Sequence, residues 1–171
     1  MRITHTAAAA VIGLVLAGAA GCGSAPARSE SSSSAPASQA LACRPPPTRK
    51  EIEDLFDRWN RSLQTGDPRA VVANYAERSI LLPTLSNVPR VTPAEKEEYF
   101  KHFLENKPSG VVTYRFFESG CNSAFDAGLY TFTFARTGQK VPARYTFTYA
   151  WDGKQWLITS HHSSAMPEPV R

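Results

Sequence analysis

The stretch VPARYTFTYAWDGKQWLITSHHS, Val141 to Ser163, decides the fold. Tyr145, Phe147 and Tyr149 alternate with Arg144, Thr146 and Thr148, the period of two that a strand imposes on its side chains. A second such run follows from Gln155, and Asp152-Gly153 between them is a strong hairpin signal. An ideal two-residue hairpin there sets Arg144 opposite His161, with Thr146 and Thr159 beside them. Tyr145, Phe147, Tyr149, Trp156, Ile158 and His162 then share the other face. A slip of one residue exchanges the faces, so either His161 or His162 is the inward one.

Working back towards the N-terminus, Val111 to Glu118 and Ala124 to Ala135 read as further strands, with Tyr130, Phe132 and Phe134 alternating with Leu129, Thr131 and Thr133. A shorter strand is expected over Ser79 to Leu85. Before them come helices. Thr48 to Glu51 is a capping box, and Ile52, Leu55, Phe56, Trp59 and Leu63 follow at helical spacing. Gly66 stops that helix. Asp67-Pro68 starts another, with Val71, Val72 and Tyr75 as its inward residues. Thr92 to Glu95 is a second capping box, opening a helix that carries Tyr99, Phe100, Phe103 and Leu104. Helices first and consecutive strands later define an α+β class.

The N-terminal quarter is different. Residues 1–21 hold one charge, Arg2, then the apolar run Ala7 to Ala17, the layout of a secretory signal. Ala19-Ala20-Gly21-Cys22 resembles a bacterial lipobox, with Ala19 where Leu is usual. The expectation is a lipidated Cys22, the alternative being an ordinary signal cut nearby. Residues 22–42 are mostly Ser, Ala and Pro and read as a tether. The domain is expected over 43–167. Cys43 and Cys121 remain as an even pair in an oxidising compartment, so a disulfide is expected in preference to two separate buried thiols. The formal charge is +4. Acids are interleaved with the basic residues and no basic stripe forms, so no nucleic-acid partner is expected. No CxxC or paired His/Cys spacing points to a metal, and no cofactor fingerprint is present.

Ala127 to Phe132, Ala143 to Phe147, Asp152-Gly153-Lys154-Gln155-Trp156 and the ending His161 to Pro167 resemble bacterial proteins related to the calcium/calmodulin-dependent protein kinase II association domain. These belong to the SnoaL-like, nuclear transport factor two-like superfamily, and some are labelled SgcJ/EcaC oxidoreductases. The family pattern has His-x-His near the end of the last strand. Ser160 takes the first position here and His162 matches the second. The Asp-Gly pair also falls one residue earlier relative to Trp156. The resemblance implies a curved antiparallel sheet wrapped around helices into a cone with a pocket, and self-assembly through the sheet. It does not imply kinase activity, because no glycine-rich phosphate loop or kinase catalytic-loop motif occurs.

A histidine with Arg144 and tyrosines at a pocket mouth can bind a carboxylate or polarise a carbonyl; a structural or interface histidine is the plainer reading. Asp126 at the head of a strand is a general base if its walls desolvate it, or a turn residue. Trp59, Tyr75, Tyr99 and Tyr130 are cavity candidates whose spacing core packing also explains. The catalytic candidates are therefore Asp126 and His162, and the ligand-pocket candidates Trp59, Tyr75, Tyr99, Tyr130, Arg144, His161 and His162. Two classes stand. One is an exported, lipid-anchored module on the outer face of the bacterial membrane that self-associates and binds a small polar or anionic organic ligand. The other is a small-molecule enzyme, an acid-base catalyst of the SnoaL or ketosteroid-isomerase kind or an oxidoreductase. The missing first histidine favours binding.

Overall fold

The first helix begins where the Thr48 hydroxyl accepts from the Glu51 backbone N–H and the Glu51 carboxylate accepts from that of Thr48, at 2.8 Å. This reciprocal cap satisfies two amides that a helix start leaves orphaned. The structure, a computed structural model, describes residues 43–168. The expected signal, the lipidation site Cys22 and the tether lie outside them. Helix α1 runs Arg49–Leu63 and buries Ile52, Leu55, Phe56, Trp59 and Leu63, each burial contributing roughly 1.5–3 kcal/mol. Helix α2, Pro68–Val72, is capped by Asp67 and is only five residues long. Asn74 ends it by donating to the Ala70 and Val71 carbonyls and to Ser62 Oγ. Tyr75, expected on the inner face of this helix, therefore opens strand β1, Tyr75–Leu82, instead. Helix α3, Pro93–Leu104, starts from the second capping box.

Strands β2 (Pro108–Ser119), β3 (Ser123–Phe134), β4 (Gln139–Trp151) and β5 (Trp156–Ala165) pair as antiparallel neighbours. The sheet order is β1-β5-β4-β3-β2, and β1 joins β5 in parallel. The wholly antiparallel sheet implied by the resemblance is corrected on this point. A parallel pair needs a long crossover, and here α3 and three strands supply it. Register shifts bend the sheet at three places: Thr113 is the extra residue of β2, Thr159 that of β5, and β1 shifts between Tyr75 and Ile80. Beside the first, a Cβ on Gly128 would sit 2.0 Å from the Tyr114 carbonyl oxygen, so only glycine permits the approach.

The β4–β5 hairpin departs from the two-residue turn expected at Asp152-Gly153. Trp151 pairs with Trp156, leaving a four-residue loop in which the Asp152 carboxylate accepts from the Lys154 and Gln155 amides, both at 2.8 Å. With the bulge at Thr159, this register sets His161 against Phe147 and not against Arg144. One row of paired residues then crosses the sheet: Arg90, Leu81, His161, Phe147, Asp126 and Phe117. Paired residues share a face, and this row's face receives α1. Cys43 and Cys121 are joined, which ties the start of the described chain to the β2–β3 turn.

Candidate functional site

Concave-face side chains of β3–β5, with α3 and the segment after β1, enclose a cavity of about 790 Å³. Alternation along the strands supplies its walls: Tyr130, Phe132 and Phe134 from β3, Val141 and Ala143 from β4, His161, Ser163 and Ala165 from β5. Helix α3 adds Tyr99, Phe100 and Phe103, and α1 adds Trp59. The interior is largely hydrocarbon and aromatic. Its polar lining residues include Arg90, Glu95, Glu98, His102, Asn106 and Gln139. Size and lining fall within the range of small-molecule sites.

His161 is the polar group of the inner wall. Its ring stacks on Phe147 with centroids 4.0 Å apart and meets the Trp59 ring edge-on at 5.1 Å. Tyr75 lies behind it. The Trp59 indole N–H donates to the Tyr75 hydroxyl oxygen at 3.2 Å, and that hydroxyl lies 2.8 Å from His161 Nδ1. An indole nitrogen can only donate, so the Tyr75 proton is free to go to Nδ1. Nδ1 is then the acceptor and the ring proton resides on Nε2. Nε2 is buried without a partner. Burial, with a smaller contribution from His162, pushes the His161 pKa down to about 3, so the ring is neutral across the physiological range. His161 thus lines the cavity as a neutral ring whose Nε2–H is buried in apolar surroundings. A second polar line runs from the Tyr130 hydroxyl to Ser163 Oγ at 2.6 Å, with Thr84 beyond it.

The candidates read from sequence divide. Trp59, Tyr99, Tyr130 and His161 line the cavity together. Tyr75 stands one layer behind, as the group that orients His161. Arg144 and His162 do not line it: both are exposed on the convex face, Arg144 donating to Ser164 Oγ at 3.1 Å. The hairpin register is the reason, because the four-residue loop and the bulge move Arg144 away from His161. His162, one of the two catalytic candidates, is thereby separated from the cavity by the sheet. Asp126 is buried on the concave face but outside the cavity. It accepts from Arg115 Nε at 3.1 Å and from the Tyr145 hydroxyl at 3.0 Å. Burial raises its pKa, while Arg115 and the Tyr145 bond oppose the rise. Its surroundings are those of a structural ion pair under α1. Sequence reasoning missed Arg90 and Ser163 as lining residues. Ser163 continues the β5 alternation two places beyond His161, a signal that was present; Arg90 sits alone between Pro89 and Val91 and carries none.

A curved sheet closed over helices around such a pocket is the nuclear transport factor two-like fold, also called cystatin-like. A protein of this fold from Pseudomonas putida superposes with a TM-score of 0.61 at 17% identity, over 70% of this chain and 87% of that one. One from Novosphingobium aromaticivorans gives 0.60 at 11%, over 71% and 84%. The chain belongs to the calcium/calmodulin dependent protein kinase II association domain family, whose model matches residues 48–167. A bacterial protein of that same association-domain description, from Xanthomonas campestris, is 48% identical over 72% of this chain and 91% of that one, with a TM-score of 0.68. No curated protein matches the chain.

Proposed function

We propose that this is a lipid-anchored, exported binding protein whose domain self-associates and holds a small organic ligand in the cavity. The observation that carries the ligand reading is the unpartnered Nε2–H of neutral His161 in the wall of an apolar cavity. A buried donor without a partner forfeits roughly 1–3 kcal/mol, which a ligand acceptor would recover. The walls alter the expected ligand: its body is apolar, and its polarity is confined to an oxygen that meets His161. A binding role is favoured over an acid-base one. A histidine kept neutral down to about pH 3 is a poor proton carrier near neutrality, and Asp126 is committed to Arg115 and Tyr145.

Self-association rests on the family and on Val111, Tyr114 and Phe116, which are exposed on β2. The anchor rests on Ala19-Ala20-Gly21-Cys22, and added acyl mass on membrane-extracted protein checks it. The cavity is tested with the apolar fluorophore Nile red. The wild-type chain should bind it saturably, and Ala143→Phe, which fills the cavity from β4, should weaken binding about tenfold or more, about 1.4 kcal/mol. Equal binding by both would overturn the reading.

A further inference from the structure

The segment between β1 and α3 carries Leu85, which lines the cavity and is nevertheless 95% exposed. Glu98, His102, Thr137 and Gln139 are exposed lining residues too, and all four are polar. Leu85 is a large apolar group standing in water beside an apolar interior. Two ties hold the neck of its segment. Leu81 and Arg90 exchange both backbone hydrogen bonds, each at 2.9 Å. Lys96, fully buried, donates to the carbonyls of Ser79 on the incoming arm and Val91 on the outgoing one, both at 2.9 Å. Thr84 also bonds Ser163 of β5, fastening the incoming arm to the sheet. Beyond Thr84 the bonds lengthen. The Ser86 N–H reaches the Pro83 carbonyl at 3.5 Å, the Val88 N–H reaches Ser86 Oγ at 3.3 Å, and Arg90 Nη2 reaches that oxygen at 3.4 Å. All three are long for hydrogen bonds, and Val88 is 55% exposed.

A weakly bonded tip between firmly held ends is the arrangement in which a short loop moves as a unit. Resting on the cavity-binding reading above, we infer that Leu85–Val88 is a lid on the cavity, hinged at Pro83 and Pro89, with Leu85 as its plug. Leu85 stands in the open position. Gln139 opens β4, two strands from β1 in the sheet, roughly 10 Å at the strand spacing. Two residues of chain from Pro83 and a leucine side chain together span about that distance. The half-buried rings of Phe103 and Phe134 line the cavity and meet edge-on at 5.9 Å, giving the plug an apolar seat. Leaving water for that seat is favourable. An apolar occupant enlarges the seat, so loading shifts the lid towards closure, and closure slows release.

The test combines hydrogen exchange and release kinetics on the full chain with Nile red as the probe. Saturating dye should slow exchange of the Leu85, Ser86 and Val88 amides about tenfold or more, because closure takes a loosely bonded tip out of solvent. Leu85→Asp should fold normally, since the side chain it replaces is 95% exposed. It should still bind the dye, release it about tenfold or more faster in stopped-flow dilution, and show no slowing of exchange at the tip on loading. Leu85→Met should match the wild type in both measurements. The lid requires both effects. If the dye binds the wild type and either the tip amides exchange alike with and without it or Leu85→Asp releases it at the wild-type rate, the segment is a fixed rim; the lid is then wrong while the cavity reading stands. Failure of the dye to bind removes the cavity reading and the lid with it.

Discussion

His161 illustrates how a single side chain acquires its chemistry from what touches it. The folded pKa of about 3 lies below the ordinary histidine value of 6.5. Between those values the unfolded chain binds a proton that the folded one refuses. Stability from this site is therefore present above pH 6.5 and is lost as pH falls towards 3, with a slope up to about 1.4 kcal/mol per pH unit. Asp126, whose folded pKa is raised, contributes with the opposite sign, so the difference between two chains is the informative quantity. We expect His161→Gln, which cannot charge, to have a flatter stability profile than wild type in urea titrations from pH 7 to 4. Parallel profiles would show that His161 is not held neutral. The sequence showed that one of two adjacent histidines points inwards. It did not show which, because the choice depends on the Asp152 carboxylate closing a four-residue loop and on an extra residue at Thr159, and neither has a one-residue signature.

Between elements, the tightest constraint is the β2–β3 pair. Gly128→Ala would drive a methyl group into the Tyr114 carbonyl, and the forced displacement should cost about 2 kcal/mol or more in denaturant unfolding. The same pair carries the ion pair Arg115–Asp126, whose side chains are 11% and 0% exposed, with Glu53 of α1 also 3.5 Å from Arg115. Removing one partner leaves the other charge buried, so Arg115→Met should cost about 3 kcal/mol, and adding Asp126→Leu should recover much of it. A double variant no more stable than the single one would argue against that account. Elements with local signatures were legible: both capping boxes, the α1 stripe and the four late strands. Strand β1 was placed late and its parallel pairing went unseen, because its partner β5 is more than seventy residues away in sequence and no local pattern encodes that contact. The buried Lys96 was likewise unforeseen. It donates to the Ser79 and Val91 carbonyls, both at 2.9 Å, and burial lowers its pKa.

For the molecule as a whole, the exposed apolar residues of β2 set an expectation about assembly. Val111, Tyr114 and Phe116 are 63%, 61% and 49% exposed, and Phe125 packs against Phe116 on the same face. Light scattering at micromolar concentration should show more than one chain per particle, and Tyr114→Glu with Phe116→Glu should reduce it to one. A monomeric wild type would refute assembly through this face. The cavity lies on the opposite face of the sheet, so the dissociated variant should still take up Nile red. The bond between Cys43 and Cys121 has a different consequence, in the currency of proteolysis. Leu85, 95% exposed, marks the segment between β1 and α3 as a site for a protease. That segment lies inside the 78-residue span the disulfide closes. A cut there leaves two fragments that still migrate as one species until a reductant is added. Clipping would thus open the rim of the cavity without releasing either half of the domain.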